Sequence, residues 1–308
     1  MPSYQNILVA IDTGQPTHPE LDQALRLARQ SHGHLHLVDS VKDLHSTIRL
    51  LAPQWQANLD ELASQKQAAL ESLTEQTRQS GVPTSCELLR GNYSQALLRV
   101  IEQRGIDLVI RAAKGTHSRE SGTLGATSRQ LLLVAPCDVW LTQGSPSPQS
   151  QRILAAIDAT PDDAAHGELN RSILQQAREL AESTASELHV LYVWDLFGTA
   201  LLETRMSSGE FDELIAQNQR YHQTKLDQTL SEFGLSSSDT NVHLQRGEPE
   251  NVIPEFCDSR EIDLLVCGTV ARRGMSNLML GNTVLKILSR LSCAVLTLKP
   301  KAWIETDA

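Results

Sequence analysis

The sequence predicts an α/β protein made of two tandem, doubly wound parallel-sheet domains of the Rossmann-like type. Three observations lead to this fold class. The chain has 308 residues, which is enough for two hydrophobic cores. The apolar run Ile7–Asp12 returns as Ile153–Asp158. Short apolar runs also alternate with helical patterns, and this alternation is typical of parallel sheets with right-handed crossovers.

The internal repeat sets the predicted domain boundaries. Ile106–Leu108 returns as Ile262–Leu264 at an offset of 156 residues. Two copies of one domain explain this self-similarity. The Ser- and Pro-rich residues 144–150 have the composition of a linker. We therefore expect one domain over residues 1–143 and a second over residues 151–308.

Each copy starts with an almost wholly apolar strand that ends in aspartate, as expected for a parallel strand covered on both faces. A helix, a second strand, a long polar helix ending at glycine, a third strand and a third helix follow. A fourth strand, a loop, a last helix and a closing strand complete the copy. The landmarks, first copy then second, are helices Leu21–Gln30 and Arg171–Ser183, strands Leu35–Val38 and Leu188–Val193, helix-ending Gly81 and Gly234, and closing strands Val139–Thr142 and Val295–Leu298.

The two closing strands are candidates for sheet edges. Free strand edges promote aggregation, so we expect these strands to pair antiparallel with each other. That pairing would make the chain an intrachain pseudo-dimer. A further homodimer remains open.

The second copy has an insertion next to its first strand. Between Asp158 and Leu188 it contains seven more residues than the first copy, placed around Pro161–Asn170. Long loops are often functional. The insertion is either a lid or wall of a ligand pocket, or an exposed loop without a ligand role.

The stretch 262–300 carries the strongest functional pattern. A buried strand leads to Gly268, and a helix with apolar residues at i, i+3, i+4 and i+7 begins after Gly281. Asn282 or Thr283 can cap that helix. Glycine at a strand-to-helix turn lets backbone N–H groups approach a ligand, and the helix dipole favours an anion. The pattern predicts a phosphate site.

This stretch resembles the nucleotide loop of the universal stress protein family. The run Gly268-Thr269-Val270-Ala271, nine further residues and Gly281-Asn282-Thr283 follow that family's Gly, two residues, Gly, nine residues, Gly-Ser/Thr pattern. Ala271 and Asn282 are the two departures. The opening Tyr4-Gln5-Asn6 is similar to the tandem E-type members. The resemblance implies an adenine-nucleotide alpha hydrolase-like fold, a role in stress resistance as sensor or adaptor, and binding of ATP, alone or with Mg²⁺.

The resemblance also implies particular ligand contacts. Asp158 matches an aspartate that contacts the nucleotide, and Val193 matches an adenine-contacting position. The alternatives are a structural cap for Asp158 and core packing for Val193. The full predicted binding set is Ala156, Asp158, Val193, Cys267, Gly268, Ala271, Gly281, Asn282 and Thr283.

The first copy keeps less of this pattern. Ala112 stands at the position of Gly268, Gly115 at that of Ala271 and Ala126 at that of Asn282. We expect this copy to serve chiefly as a structural partner, because it lacks the first glycine and the polar cap.

Several other functions find little support. The sequence has no nucleophile elbow, P-loop or HExxH motif, so no catalytic residue is predicted and at most slow ATP hydrolysis is expected. His32, His34 and His36 alternate along a strand, but lack accompanying ligands, so no metal site is predicted. Cys137 and Cys293 are repeat equivalents and are expected to pack in the core.

Composition restricts the partners. The net charge is −10 without a dense basic block, which argues against nucleic acid. No apolar run approaches the roughly 20 residues of a membrane-spanning helix, and five cysteines without a CxxC spacing indicate a reduced, cytoplasmic protein. Two alternatives to nucleotide binding remain: an apolar or lipid-like ligand between the domains, and a ligand-free interaction scaffold. The first rests on the apolar side chains Phe197, Leu201, Leu202, Met206 and Phe211.

Overall fold

In both copies, apolar runs rich in β-branched residues form the predicted strands. The amphipathic segments between them form the predicted helices. The computed structural model describes residues 4–41, 53–114, 124–143, 152–160, 164–196, 198–269 and 282–299. Two units emerge, one comprising Met1–Pro146 with Ala294–Thr297 and the other Ser147–Cys293 with Leu298–Ala308. The predicted linker 144–150 lies outside the described residues.

The first unit contains five parallel strands in the order β3-β2-β1-β4-β5. Its elements are β1 Asn6–Ala10, α1 Pro19–Ser31, β2 His34–Val41, α2 Pro53–Gln79, β3 Thr84–Arg90, α3 Tyr93–Arg104, β4 Leu108–Ala112, α4 Ala126–Val134 and β5 Asp138–Thr142. The central strand is buried on both faces, since Ile7, Leu8 and Val9 have no exposed surface. This explains its uninterrupted apolar sequence.

The second unit repeats the order as β9-β6-β7-β8, again parallel. Its elements are β6 Arg152–Ile157, α5 Ala164–Thr184, β7 Glu187–Trp194, α6 Thr199–Arg205, α7 Ser208–Leu230, a 3₁₀ turn Ser231–Phe233, β8 Val242–Arg246, α8 Pro249–Ser259, β9 Leu264–Gly268, α9 Asn282–Arg290 and β10 Ala294–Leu298. The sequence thus predicted the fold class and the order of the elements correctly.

The predicted antiparallel pairing of the closing strands is present. Ala294–Thr297 belongs to the first unit, where Val295 pairs with Leu141 and Thr297 with Val139. The Thr297 hydroxyl also donates to the Val139 carbonyl oxygen at 3.2 Å. The edge of β5 is therefore covered, as edge strands in soluble proteins usually are.

The insertion in the second copy lengthens a helix. Whereas α1 has 13 residues, α5 has 21 and begins at Ala164, earlier than the predicted Arg171. Leu169 and Asn170, within the insertion, are buried. Tertiary packing of these two side chains accounts for the extra turns, which local propensity alone does not specify.

Candidate functional site

The carboxyl ends of β6, β7 and β9 form the candidate site of the second unit. Ala156 and Cys267 are register partners on adjacent strands, and both are half-buried. Asp158 follows the end of β6, and Val193 lies near the end of β7. Ligands of doubly wound sheets bind at this edge. The structure therefore brings these four predicted residues to one edge.

The remaining predicted residues are only partly covered. Gly268 ends β9. Asn282 and Thr283 begin α9, but their side chains lie outside the described part of the structure. Ala271 and Gly281 also lie outside the described residues, so the glycine-spaced loop stays a prediction.

Asp158 is held by its backbone and presents its carboxylate to solvent. Its N–H donates to the Asn170 Oδ1 at 3.2 Å, and its carbonyl oxygen accepts from the Asn170 Nδ2 at 2.7 Å. Its Oδ1 accepts from the Thr160 N–H at 3.0 Å. Among the described residues, no hydrogen bond reaches its Oδ2. One carboxylate oxygen thus stabilises a local turn, while the other is left without a hydrogen bond to the described residues.

The same turn occurs in the first unit. The Asp12 Oδ1 accepts from the Gly14 N–H at 3.1 Å, which matches the bond from Thr160 to Asp158. An aspartate that bonds its own backbone two residues on is a common turn-forming device. Asp158 therefore does have a structural role, which is to stabilise this turn. That role uses only one of its two carboxylate oxygens.

Three uncharged side chains, Thr160, Tyr192 and His222, form a row of hydrogen bonds next to Asp158. The Tyr192 hydroxyl lies 2.6 Å from the Thr160 Oγ1 and 2.6 Å from the His222 Nδ1. The Trp194 indole stacks on the imidazole with ring centroids 4.9 Å apart. Burial raises the pKa of Tyr192 to about 12 and lowers the pKa of His222. The sequence did not predict this row of hydrogen bonds, because Tyr192 and His222 are 30 positions apart.

The first unit has an ion pair at the matching position. The Lys66 ammonium lies 2.9 Å from both Asp39 carboxylate oxygens and 3.2 Å from the Asp12 Oδ1. Strand register makes Asp39 the equivalent of Tyr192. In the long helix of each unit, Lys66 lies four residues before the fully buried Leu70, and His222 lies four residues before the fully buried Leu226. Lys66 and His222 therefore occupy matching positions. The first aspartate thus already contacts a cation of the protein, which it shares with Asp39.

Further charged groups lie at the end of β4 in the first unit. Arg111 is only 8% exposed, and its guanidinium lies 5.8 Å from the centroid of the Tyr93 ring. Glu20 is buried as well, and burial raises the pKa of its carboxyl group. In the second unit the corresponding residues are Cys267 and Ile173. Charged side chains thus occupy the first unit where the second is apolar.

Gly268 has a packing role that the sequence did not reveal. A Cβ built on Gly268 would lie 2.5 Å from the Leu169 Cδ2, closer than real Cβ contacts. Leu169 comes from the lengthened α5. The helix packed over Gly268 therefore disfavours a larger residue at this position, whether or not a ligand approaches its backbone.

Of the thiols of the second unit, Cys257 and Cys293 are buried and Cys267 is half-buried. The Cys257 and Cys293 side chains are hydrogen-bonded, and this bond together with burial raises the pKa of Cys257 far above its usual value. Burial raises the pKa of Cys267 to about 12. Cys137 is also buried. Since the thiolate is the reactive form, core packing describes these cysteines better than redox chemistry.

The three histidines near the start of β2 do not share one face. His34 and His36 lie on one face of β2, as predicted, and both contact the Ser85 hydroxyl at 2.8 Å. His32 instead ends α1 in a left-handed conformation. Within the described ranges, no group of three or more His, Cys, Asp or Glu side chains could hold a metal ion. No helix in the same ranges is long and apolar enough to cross a membrane.

Comparison with known proteins decides the family. The sequence model described as Universal stress protein family matches twice, at residues 3–143 and 149–299. The chain belongs to the universal stress protein family. Universal stress protein E of Escherichia coli K12 is 26% identical over the whole of this chain and 98% of its own length. A homologue in Haemophilus influenzae is 24% identical over 96% of this chain and 98% of its own.

Solved structures of universal stress proteins share the architecture. A putative universal stress protein from Pseudomonas aeruginosa UCBPP-PA14 has a TM-score of 0.75 and 25% identity, covering 98% of this chain and 95% of its own. One from Archaeoglobus fulgidus has a TM-score of 0.60 at 13% identity, covering 97% and 99% respectively, and so shows the fold alone. The tandem resemblance inferred from the glycine loop and the repeat is confirmed.

Proposed function

We propose that this universal stress protein is a cytoplasmic stress-response sensor or adaptor that binds an adenine nucleotide in its second unit. The proposal rests on the contrast between the two aspartates. Asp158 is exposed and has an oxygen without a hydrogen bond among the described residues, whereas Asp12 is 3.2 Å from the Lys66 ammonium. Asp158 therefore offers a ligand an exposed carboxylate oxygen that accepts no hydrogen bond from the described residues, whereas Asp12 already contacts a cation.

The residues around Asp158 fit a hydroxylated ligand such as a ribose. A carboxylate accepts hydrogen bonds from hydroxyl groups, and bonds to a charged partner contribute about 1.5–3 kcal/mol each. Ala156 and Cys267, which are register partners on the neighbouring strands, have small, half-buried side chains at the same edge. If ATP arrives with Mg²⁺, the cation would offset the phosphate charge next to this acidic protein.

Calorimetric titration with ATP, with and without Mg²⁺, tests the proposal. Asp158→Asn keeps the turn-forming oxygen but removes the charge, and Asp12→Asn is the matched control in the first unit. We expect Asp158→Asn to weaken binding by about tenfold or more, and Asp12→Asn to leave it unchanged. Binding that is absent in the parent, or equally weakened by both variants, would remove the nucleotide proposal.

The same preparation separates the alternatives. Native mass spectrometry of the purified chain would show an adenine-containing mass for a nucleotide binder and a lipid-like mass for a binder of apolar molecules. ATP turnover that disappears with Asp158→Asn would instead identify a slow ATPase. A chain that carries no ligand and binds none would be an interaction scaffold.

A further inference from the structure

The first unit contains a group of two histidines and one glutamate on β2 and β3, in which His36 is buried, His34 is half-buried and the Glu87 side chain is 44% exposed. His36, 1% exposed, places its Nδ1 2.8 Å from the Ser85 Oγ, and the His34 Nε2 lies 2.8 Å from the same oxygen. The Glu87 carboxylate lies 3.7 Å from the His36 Nε2 and 3.4 Å from the Arg104 Nη2. A hydroxyl has one proton, so Ser85 donates to one imidazole and accepts from the other.

The second unit has a group of the same composition. The His189 Nδ1 lies 3.2 Å from the His243 Nε2, and the rings stack with centroids 5.5 Å apart. The His189 Nε2 lies 3.5 Å from Glu187, whose other oxygen is 3.6 Å from the Arg152 Nε. Phe256 packs against both imidazoles. His189 is 3% exposed, whereas His243 is half-buried.

The two groups occupy equivalent positions with an exchange of residue types. Strand register makes His36 equivalent to His189, and also makes His34 equivalent to Glu187 and Glu87 equivalent to His243. One unit therefore replaces histidine by glutamate at one position and glutamate by histidine at another. Each unit retains two histidines and one glutamate, as expected if this combination is needed.

Both groups lose a hydrogen bond when both of their histidines are protonated, and the His36 Nε2 has no hydrogen-bond partner among the described residues. Two imidazolium ions at the 3.2 Å separation of His189 and His243 would repel each other, because neither nitrogen could then accept. Protonating both His34 and His36 would leave the Ser85 hydroxyl proton without an acceptor in that trio. The charged groups acting on these histidines are Arg78, Arg104 and Glu87 in the first unit and Arg152, Arg260 and Glu187 in the second.

Burial is the main cause of a lowered pKa at all four imidazoles. For His36 the value falls to about 4, and for His34, His189 and His243 the direction is the same. Folded-state values below the unfolded value of 6.5 mean that the unfolded or opened state binds more protons. Opening therefore becomes easier as the pH falls below about 6.5.

We propose that the two histidine–glutamate groups act as a proton-responsive element, in which acidification loosens the outer strands β3 and β8 from their neighbouring strands and helices. The two glutamates limit the response, because each offsets part of the imidazolium charge. The element lies away from Asp158 in sequence and strand position, so it does not rest on nucleotide binding.

Proton NMR titration of the imidazoles in the intact chain is the first test. We expect His189 and His243 to take up protons in two separate steps, both below pH 6.5, because their nitrogens are in contact. Titration of both as independent groups at 6.5 would overturn the proposal. This measurement requires no variant and so is unaffected by folding failures.

Amide hydrogen exchange at pH 7.5 and 5.0, corrected for the chemical exchange rate, is the second test. We expect exchange in β2–β3 and β7–β8 to increase by about tenfold or more at pH 5.0. His36→Asn and His189→Asn keep a polar group near the Nδ1 position and should reduce the response, each in its own unit. The exposed His32→Asn is the control and should retain it. Equal protection at both pH values, or a response unchanged in His36→Asn and His189→Asn, would refute the proposal.

Discussion

Replacing Lys66 by Met tests whether the first-unit ion pair is structural. The Asp39 side chain is 4% exposed, and its carboxylate would lose an ammonium that now lies 2.9 Å from both oxygens. Removing one partner of a buried pair typically costs 3–5 kcal/mol. Asp39 would keep hydrogen bonds from the Thr13 N–H, the Thr13 hydroxyl and the Ser40 N–H. We therefore expect a loss near the lower limit, about 3 kcal/mol.

Urea unfolding followed by circular dichroism measures this loss, and a double-mutant cycle isolates the pair. Asp39→Asn with Lys66→Met should recover about 2 kcal/mol relative to the sum of the single changes. Lys286→Met is the matched control, since its ion pair with Glu250 has a similar 3.0 Å distance but a 58% exposed lysine. That change should cost less than about 1 kcal/mol. Equal costs for the two lysine variants would refute the reasoning.

Three further predictions concern packing, pH and thiol reactivity. Gly268→Ala should lower the free energy of unfolding in urea by about 1–3 kcal/mol, because its Cβ would meet Leu169. Adding Leu169→Ala in the same chain should relieve the clash. A Gly268→Ala variant as stable as the parent would contradict this packing. The pKa of His36 is about 4 in the folded chain and 6.5 in the unfolded chain, so lowering the pH from 7.5 to 5.0 should reduce the free energy of unfolding by about 2 kcal/mol. His36→Asn should therefore make the free energy of unfolding less dependent on pH over that range. The same pH dependence in His36→Asn and the parent would contradict this prediction. Cys257 should react with Ellman's reagent only after denaturation, since the neighbouring Cys293 side chain and burial disfavour the Cys257 thiolate; prompt reaction of Cys257 in the native chain would show otherwise.

The helical insertion shows where sequence reasoning stopped short. Its position beside Asp158 was predicted from the repeat, and its residue Asn170 does bind the Asp158 backbone. That residues 164–170 form helix, and that Leu169 excludes a side chain at Gly268, depends on packing between distant segments. Neither local propensity nor a motif contains that information.

The candidate site was predictable in its outline but not in its electrostatics. Repeat spacing placed Asp12 and Asp158 at equivalent strand ends, because the first strand of such a sheet ends at the ligand-binding edge. Which aspartate is engaged by the protein itself depends on Lys66, 54 residues away from Asp12. A single sequence does not predict such long-range pairings.

By itself, the sequence determined the two-copy architecture and the alternation of parallel strands with helices. These features follow from periodic apolar patterns and short connections, which are local along the chain. Only the tertiary structure decided which copy keeps an available carboxylate, why position 268 is glycine, and that histidines and glutamates exchange places between the copies. Those outcomes depend on side chains that meet only after the sheet has assembled, so packing and burial determine their charge and their partners.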